Sequence, residues 1–475
     1  MVQQEASDLH LKPMRPPLIR LNGKLLPLKF DPIPPDLIPR LTDQILNQRL
    51  KTQLQDHQAV DFGYSVPGVS RFRASVFQQR GTRSAIFRRV PFDFPSLSEW
   101  GLPPVLAELV NLPQGLVLIT GPTGSGKSST LASLMRMIAD TRLVHIVTIE
   151  DPIEFLFTDG KGAVTQREVG TDTPTFEAAL RNALRHDPDV IMVGEMRDET
   201  TINTVLQAAE TGHLVFSTLH TNSAVQTIDR IVDSFPEGNH RQIRQQLSNV
   251  LQAVVSMKLV ERKDGKGLVA AVEILRRSPR VSKLILQGAL DALDEEMENS
   301  VSYYRMQSLN QSLAAAVLHG AVTVEAALAA SINPGDLDLM LRKFLYAAGD
   351  GEPTEEGEMA ESVSDFSKIL ELQEVKKHYD DLQERVRMEM SEKDDEIDRL
   401  RRQLAEASLQ PVGENVEAIR LRQENERLSQ QLQSIRQEYE AKIERLNSRV
   451  RELSTGAPAK APEPAVGERR GFFRR

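Results

Sequence analysis

The chain has 475 residues, a formal net charge of −9 at pH 7 and no cysteine. The length suggests about three domains, the absence of cysteine excludes disulfide bonds and cysteine-based zinc sites, and the negative charge gives no electrostatic reason to expect nucleic acid as a partner. There is no signal-peptide pattern and no apolar run of about 18 residues, so we expect a cytoplasmic protein whose membrane contact is at most peripheral.

The first 104 residues have the pattern of a small α/β domain. Two short apolar runs, at 18–21 and 25–28, flank an Asn-Gly pair and predict a hairpin. Apolar side chains at 37–54 have helical spacing, and two strand candidates, 59–66 and 69–77, flank a Pro-Gly turn.

The second of these strand candidates alternates in character. Apolar side chains share one face: Phe72, Ala74 and Val76. The other face carries Arg71, Arg73 and Ser75. Three arginines, Arg73, Arg80 and Arg88, therefore lie on or beside strands. Residues alone leave open whether they form a solvated basic face or act on a ligand.

Residues 121–128 fit the P-loop pattern G-x-x-x-x-G-K-[ST]. They follow an apolar run at 115–120, which predicts a buried parallel strand, and precede a helix predicted at 130–139. Its glycines let backbone N–H groups approach phosphate oxygens, Lys127 is expected to reach the β- and γ-phosphates, and the Ser128 hydroxyl to ligate Mg²⁺. The alternative, a glycine-rich turn, is disfavoured by this strand–loop–helix context. The predicted nucleotide-binding residues are Gly121, Pro122, Thr123, Gly124, Ser125, Gly126, Lys127, Ser128 and Ser129.

Strands and helices then alternate, which is typical of an α/β layer with a parallel sheet. The predicted strands are 143–149, 190–193 and 214–219, and the predicted helices are 176–184, 201–210, 224–234 and 240–257. Glu150, Glu195 and His220 each follow the end of a strand. Ligands bind outside the carboxyl ends of parallel strands, so we expect these side chains to meet the P-loop.

The C-terminal part changes character. A helical region at 279–348 is followed by an acidic stretch at 349–365, which we interpret as a flexible linker. Apolar residues at 366–453 step by three and four with an interruption at 410–413, which predicts a coiled coil in two segments rather than a single solvated helix. Residues 454–475 form a predicted disordered tail that ends in arginines and phenylalanines. The tail could contact anionic lipid, an acidic groove of a partner, or nothing.

Several motifs in order resemble the secretion ATPases of the GspE superfamily, and more closely the type IV pilus retraction ATPases of the PilT type. They lie at 6–11, 121–128, 149–155, 182–198 and 211–224, and the resemblance covers residues 1–346. It implies an α/β fold with a PAS-like N-terminal domain (1–104), a RecA-like P-loop ATPase core (105–278) and a helical C-terminal part of that core (279–348). The implied cofactors are ATP and Mg²⁺. The absence of cysteine also fits, because the pilus extension ATPases usually carry a tetracysteine zinc site.

The resemblance also implies roles for individual residues. Lys127 and Ser128 bind phosphate and Mg²⁺, and Glu150 helps to order Mg²⁺ and water. Glu195 polarises the attacking water as general base. His213 and His220 sense the γ-phosphate or couple sites, although a lone histidine is more often a core residue. The implied arginine fingers are Arg73, Arg88 and Arg80.

One motif departs from the family. The segment tied to retraction, close to Ala-Ile-Arg-Asn-Leu-Ile-Arg-Glu, should fall at 280–287, where only Leu284 and Ile285 keep the pattern clearly. The leading hypothesis is a homo-hexameric motor that drives pilus retraction and twitching motility through an inner-membrane platform protein, at the cytoplasmic face of the inner membrane. Two alternatives stay open. One is an accessory or assembly pilus ATPase, and the other is a nucleotide-switched scaffold that recruits an unknown partner through its coiled coil.

Overall fold

The computed structural model describes residues 1–21, 23–91, 95–347, 362–407 and 416–455. Most of the predicted linker, the interruption at 410–413 and the tail beyond 455 lie outside the described residues. The chain divides into two compact units, Met1–Asp350 and Gly351–Arg475.

The first unit begins with a six-stranded antiparallel sheet. Its elements are β1 (Asp8–Leu11), β2 (Leu18–Leu21), β3 (Lys24–Pro27), α1 (Leu37–Ile45), α2 (Gln48–His57), β4 (Ala59–Val66), β5 (Ser70–Gln79) and β6 (Thr82–Arg89). The strand order is β3-β2-β1-β6-β5-β4. The predicted hairpin at 18–28 is present. The helical stretch at 37–54 divides into two helices, because the Asn47 side chain accepts a hydrogen bond from Leu50 N and caps a second helix.

One face of this sheet is apolar and forms the core of the N-terminal domain. Phe62, Ala74, Val76 and Ala85 are buried there. They belong to one cluster with Ile38 of α1 and Leu54 of α2. The alternation predicted along β5 is therefore correct, and its opposite face is free to carry arginines.

A seven-stranded sheet forms the second part of this unit. Its elements are α3 (Val105–Glu108), β7 (Gly115–Thr120), α4 (Lys127–Thr141), β8 (His145–Glu150), β9 (Ala163–Glu168), α5 (Phe176–Ala183), β10 (Val190–Val193), α6 (Glu199–Glu210), β11 (Leu214–Leu219), α7 (Ala224–Asp233), α8 (His240–Val250), β12 (Leu251–Glu261) and β13 (Leu268–Arg276). The order is β13-β12-β7-β11-β10-β8-β9, and β13 alone is antiparallel to its neighbour among these strands. Strands β7, β10 and β11 are buried along their whole length. This confirms the predicted parallel sheet.

One predicted helix, 240–257, is wrong at its C-terminal end. Helix α8 ends at Val250, and β12 begins at Leu251 and pairs in parallel with β7. The periodicity of a short apolar run does not distinguish a helix from a fully buried strand. The helix predicted from the sequence was therefore too long at its C-terminal end. Strands β9 and β13 were not predicted either.

The predicted helical region follows the second sheet. Its helices are α9 (Pro279–Gln287), α10 (Ala292–Asn299), α11 (Val301–Tyr304), α12 (Leu309–Leu318), α13 (Val324–Ala330) and α14 (Pro334–Ala347). Short 3₁₀ turns lie at Val2–Gln4, Leu109–Asn111 and Glu237–Asn239.

The second unit contains two long helices, α15 (Phe366–Ala407) and α16 (Val416–Thr455). They lie antiparallel, because Tyr439 Oη donates to a Glu389 carboxylate oxygen at 3.0 Å while Arg449 Nη2 lies 3.4 Å from Glu371 Oε2. The two helices of the predicted coiled coil therefore meet within one chain. In the described parts of the protein, none of the helices is long and apolar enough to span a bilayer.

Candidate nucleotide-binding site

Four neighbouring strands of the parallel sheet end beside one another at a single pocket. Strand β7 leads into the P-loop, β8 ends at Glu150, β10 leads to Glu195 and β11 leads to His220. Side chains from all four ends line one cavity of about 540 Å³. The convergence expected from the sequence is therefore present, and it is a consequence of parallel strands sharing one carboxyl edge.

The P-loop wraps the N-terminus of α4. Gly126 is the residue before this helix and offers no side-chain cap, so the first N–H groups of α4 remain available for an anion. Gly121 has φ of 142°, and a Cβ there would collide with the Met257 carbonyl of β12. Only glycine fits at that position.

Lys127 is 7% exposed, and its ammonium donates to the carbonyls of Gly121 and Pro122 at 2.7 and 2.8 Å. Burial lowers the pKa of Lys127, while the carboxylates of Glu195 and Glu154 act in the opposite direction. Lys127 is the first residue of α4 and therefore lies at the positive end of the helix dipole, and the carboxylates that act on its ammonium are those of Glu195 and Glu154. The N-terminus of α4 and the Lys127 ammonium together suit a polyphosphate, because its charge is too large for either group to neutralise alone.

Glu150 is a buried carboxyl at the end of β8. Burial raises its pKa to about 7, against hydrogen bonds from Thr148, Gln166 and the Glu154 backbone. Thr148 Oγ1 donates at 2.7 Å and Gln166 Nε2 at 3.1 Å, both to Glu150 Oε1. A nearby cation would restore the charged form, which is the behaviour expected of a metal-site carboxylate.

Glu195 lies across the pocket, beyond β10. Its Oε2 accepts from Arg197 Nε at 2.7 Å, and its Oε1 lies 3.4 Å from His220 Nε2. Arg197 has no role predicted from the sequence, although it belongs to segment 182–198, which carries part of the family resemblance. A carboxylate held between a guanidinium and an imidazole is oriented without being buried, since its side chain remains 19% exposed.

The two histidines lie at opposite edges of the sheet. His220 follows β11 and lines the pocket. His213 precedes β11, so it sits at the amino edge, with its Nδ1 within 3.0 Å of the Ala208 carbonyl oxygen. His213 does not line the pocket of its own chain. Of the two predicted histidines, His220 therefore lies at the nucleotide pocket of its own chain and His213 does not.

The three arginines also separate. Arg73 of β5 lines the pocket, and its Nη1 lies 4.0 Å from Glu154 Oε1. Arg88 Nε donates instead to Asp8 at 2.8 Å within the N-terminal sheet. Arg80 lies in the β5–β6 turn with φ of 47°. Of the three predicted arginine fingers, only Arg73 lines the same pocket as the P-loop residues of this chain.

Part of the pocket lining is apolar. These apolar residues come from three separate segments of the chain: Trp100, Leu102, Met257, Leu259 and Ala270. Sequence reasoning missed these residues because no local pattern links them. Apolar lining in the same pocket as a phosphate loop suits the base of a nucleotide.

The residues present also fit Mg²⁺. The Ser128 hydroxyl and the Glu150 carboxylate both line the pocket. Within the described residues, no group of three or more histidine, aspartate or glutamate side chains is arranged to hold a metal by itself. Mg²⁺ typically takes one or two protein oxygens and completes its shell with water and phosphate, so this sparse oxygen set matches it.

The fold and the site together define a P-loop nucleotide-binding protein. A family model described as "Type II/IV secretion system protein" matches residues 98–319. The chain is 43% identical over 323 residues to the "Type IV pilus retractation ATPase PilT" of Pseudomonas aeruginosa, covering 68% of this chain and 93% of that protein.

Two further comparisons agree with these. A "Twitching motility protein" of Neisseria gonorrhoeae is 42% identical over 311 residues, covering 66% of this chain and 83% of that protein. A crystal structure of the pilus retraction motor PilT with bound ADP superposes with a TM-score of 0.66 at 44% identity, covering 71% of this chain and 97% of the other. The chain belongs to the PilT-type pilus retraction ATPases, within the type II/IV secretion system proteins, and it is an ATPase.

Proposed function

We propose that the chain is the ATP-hydrolysing motor of a type IV pilus, and that hydrolysis drives pilus retraction and twitching motility. The observation that carries this proposal is the single pocket lined by Lys127, Ser128, Glu150, Glu195 and Arg73. The names of the two relatives, a pilus retraction ATPase and a twitching motility protein, supply the cellular context.

The proposed chemistry divides among these residues. Lys127 and the N-terminus of α4 bind the phosphates and neutralise their charge. Ser128 and Glu150 would hold Mg²⁺, which supplies further charge neutralisation when bound. Glu195 accepts the proton of the attacking water, and Arg73 stabilises the charge that develops on the transferred phosphoryl group. His220, whose Nε2 lies 3.4 Å from Glu195 Oε1, would respond to the γ-phosphate.

The proposed assembly is a ring-shaped homo-hexamer at the cytoplasmic face of the inner membrane, at the pilus base. Hydrolysis would move the PAS-like N-terminal domain (1–104) against the RecA-like core (105–278) and displace an inner-membrane platform protein. His213, Arg80 and Arg88 do not line the pocket of their own chain. They are therefore candidates for contacts between subunits of the ring.

Tracking single fluorescent pili tests this function. Cells lacking the protein are restored with wild type or with the Lys127→Ala variant. We expect pili that extend without shortening in the deletion, rescue by wild type, and no rescue by Lys127→Ala. Hydrolysis of ATP by purified Lys127→Ala protein at the wild-type rate would sink the proposal.

A second candidate, an accessory or assembly pilus ATPase, is favoured by helix α9. This helix carries the altered segment, and its exposed Arg280 has its Nε 3.0 Å from Glu296 Oε2. Normal pilus shortening in the deletion strain, with altered pilus number or force, would support this second function. Recruitment of a partner through α15 and α16 remains compatible with either.

A further inference from the structure

One buried carboxylate outside the catalytic set joins the two sheets of the first unit. Glu168 ends β9 and is 1% exposed. Its oxygens accept four hydrogen bonds. Two come from the N-terminal sheet, from Gly63 N at 3.0 Å and Arg71 Nη2 at 2.7 Å. Two come from the core, from Ile153 N at 3.1 Å and Thr171 Oγ1 at 3.0 Å.

These four contacts use the whole acceptor capacity of an ionised carboxylate, which has about four lone-pair sites. Burial opposes ionisation of Glu168, but the hydrogen bonds from Arg71 and Ile153 outweigh it and lower its pKa. Glu168 is therefore charged at neutral pH and fully coordinated. Removing either partner of such a buried pair leaves an uncompensated charge.

The position of Glu168 connects it to the nucleotide pocket on both sides. On the core side it lies opposite Glu150 in the β8–β9 pairing and holds Ile153, the residue before pocket-lining Glu154. On the N-terminal side it holds Arg71, which shares one face of β5 with Arg73 two residues later. Arg73 and Glu154 are therefore each close in sequence to a residue that donates a hydrogen bond to Glu168. These residues are Arg71 on β5 and Ile153 in the core.

We propose that Glu168 is a positioning residue that places Arg73 at the nucleotide pocket. Its bonds to Gly63 and Arg71 hold β5 against the Ile153 segment, so that the Arg73 guanidinium faces the P-loop. Helix α2 adds a parallel tie, because Arg49 donates to the Gly170 carbonyl just beyond β9. This inference rests on the proposed role of Arg73 in hydrolysis.

A substitution at Gly63 is an independent way to break the contacts between Glu168 and the N-terminal sheet. A Cβ at Gly63 would lie 2.5 Å from Glu168 Oε1 and would also collide with the Arg71 guanidinium. Both obstacles are ends of side chains, and the Gly63 φ is not in the left-handed region. Gly63→Ala should therefore displace the ion pair while keeping both charges and the backbone.

The test compares Glu168→Gln and Gly63→Ala in the full chain, with Asp43→Asn as matched control. Asp43 pairs with Arg83 at 2.6 Å inside the N-terminal domain and does not reach the core. We expect both test variants to lower single-turnover hydrolysis by up to about 10²-fold, as for a misplaced catalytic group, with ADP affinity within about twofold of wild type. Asp43→Asn should change neither quantity.

A double-mutant cycle separates positioning from simple destabilisation. In an Arg73→Ala background, adding Glu168→Gln or Gly63→Ala should lower turnover by no more than about twofold, because Arg73 is already absent. If the second substitution lowered turnover by the same factor with and without Arg73, the proposal would be overturned. Unchanged turnover in both Glu168→Gln and Gly63→Ala would overturn it as well. If Glu168→Gln fails to fold, the cycle with Gly63→Ala decides alone. Wild-type turnover and its loss in Lys127→Ala test the proposed function separately.

Discussion

The two sheets of the first unit place charge in different ways. In the seven-stranded sheet, strands such as β7 and β11 are buried along their whole length, so the charged residues that this sheet contributes to the nucleotide site lie beyond or at the ends of its strands. In the six-stranded sheet, β5 buries one face and exposes the other, so Arg71 and Arg73 lie along the strand itself. The core therefore supplies most of the nucleotide site, and the N-terminal sheet presents the Arg73 guanidinium to it.

Two buried carboxyls show the same contrast in their pKa values. Glu273 of β13 is enclosed in the core, and burial raises its pKa to about 7 despite hydrogen bonds that include one from Ala224 N. Burial also opposes the charge of Asp8 in β1, but hydrogen bonds from Arg88 and Ser7 lower its pKa below the usual value. The N-terminal sheet stabilises its buried charge with arginines, whereas burial in the core keeps about half of the Glu273 carboxyl protonated at pH 7.

The largest expected effect is that of Glu195→Gln, which tests whether the core carries out the hydrolysis of ATP. An amide keeps the shape but cannot accept the proton of the attacking water, so we expect turnover to fall by about 10²- to 10⁴-fold. Nucleotide affinity should stay within about twofold, since the P-loop is unchanged. Single-turnover hydrolysis and equilibrium binding of a fluorescent ATP analogue measure the two quantities. Turnover close to that of wild type would remove Glu195 from the mechanism.

The contribution of the N-terminal sheet is tested by Arg73→Ala. Loss of a guanidinium that stabilises the transition state should lower turnover by about 10³-fold. Arg40→Ala is the control, because Arg40 is an exposed arginine of α1 whose ion-pair partner is Asp36, the residue before the same helix. If both variants retain wild-type hydrolysis, the N-terminal sheet plays no part in the chemistry.

The contrast between the buried carboxyls predicts opposite pH behaviour. The unfolded-state pKa of Glu273 is near 4.5, below its folded value of about 7, so wild type loses stability as pH rises between these values. Glu273→Gln cannot ionise, and its stability relative to wild type should rise by about 3 kcal/mol from pH 5 to pH 8. Urea unfolding at both pH values measures this. A difference that does not change with pH would show that Glu273 titrates normally.

Asp8→Asn provides the opposite case. The folded pKa of Asp8 is lowered, so its contribution is present at all pH values above its unfolded value and is lost only as pH falls below about 3.8. The variant should therefore be less stable than wild type by an amount that stays constant between pH 5 and pH 8. The same urea titrations check this, and a deficit that grows with pH would contradict the assigned pairing with Arg88.

The smallest effect is expected from deleting Gly351–Arg475. This unit is compact by itself and lies outside the set of residues that line the nucleotide pocket. Steady-state hydrolysis by the shortened protein should match that of wild type within about twofold. A large loss of turnover would show that this helical unit is required for ATP hydrolysis.

Much of the nucleotide site could be predicted from the sequence, because its signals are local. The P-loop spacing, the buried apolar runs and the polar residues after each strand are all readable within a few residues. Parallel strands then bring Glu150, Glu195 and His220 to one edge by geometry alone. The same logic places His213 at the other edge, a consequence that sequence analysis did not draw.

Only the tertiary structure decided which distant segments meet. The run at 251–257 is apolar in either a helix or a strand, and pairing with β7 makes it a strand. Arg73, Arg80 and Arg88 are equivalent by motif, and the packing of the two sheets sends Arg73 alone of these to the pocket. Glu168 carries no motif of its own. Its importance comes from meeting Gly63, 105 residues earlier, and contacts at that separation leave no periodic trace in a single sequence.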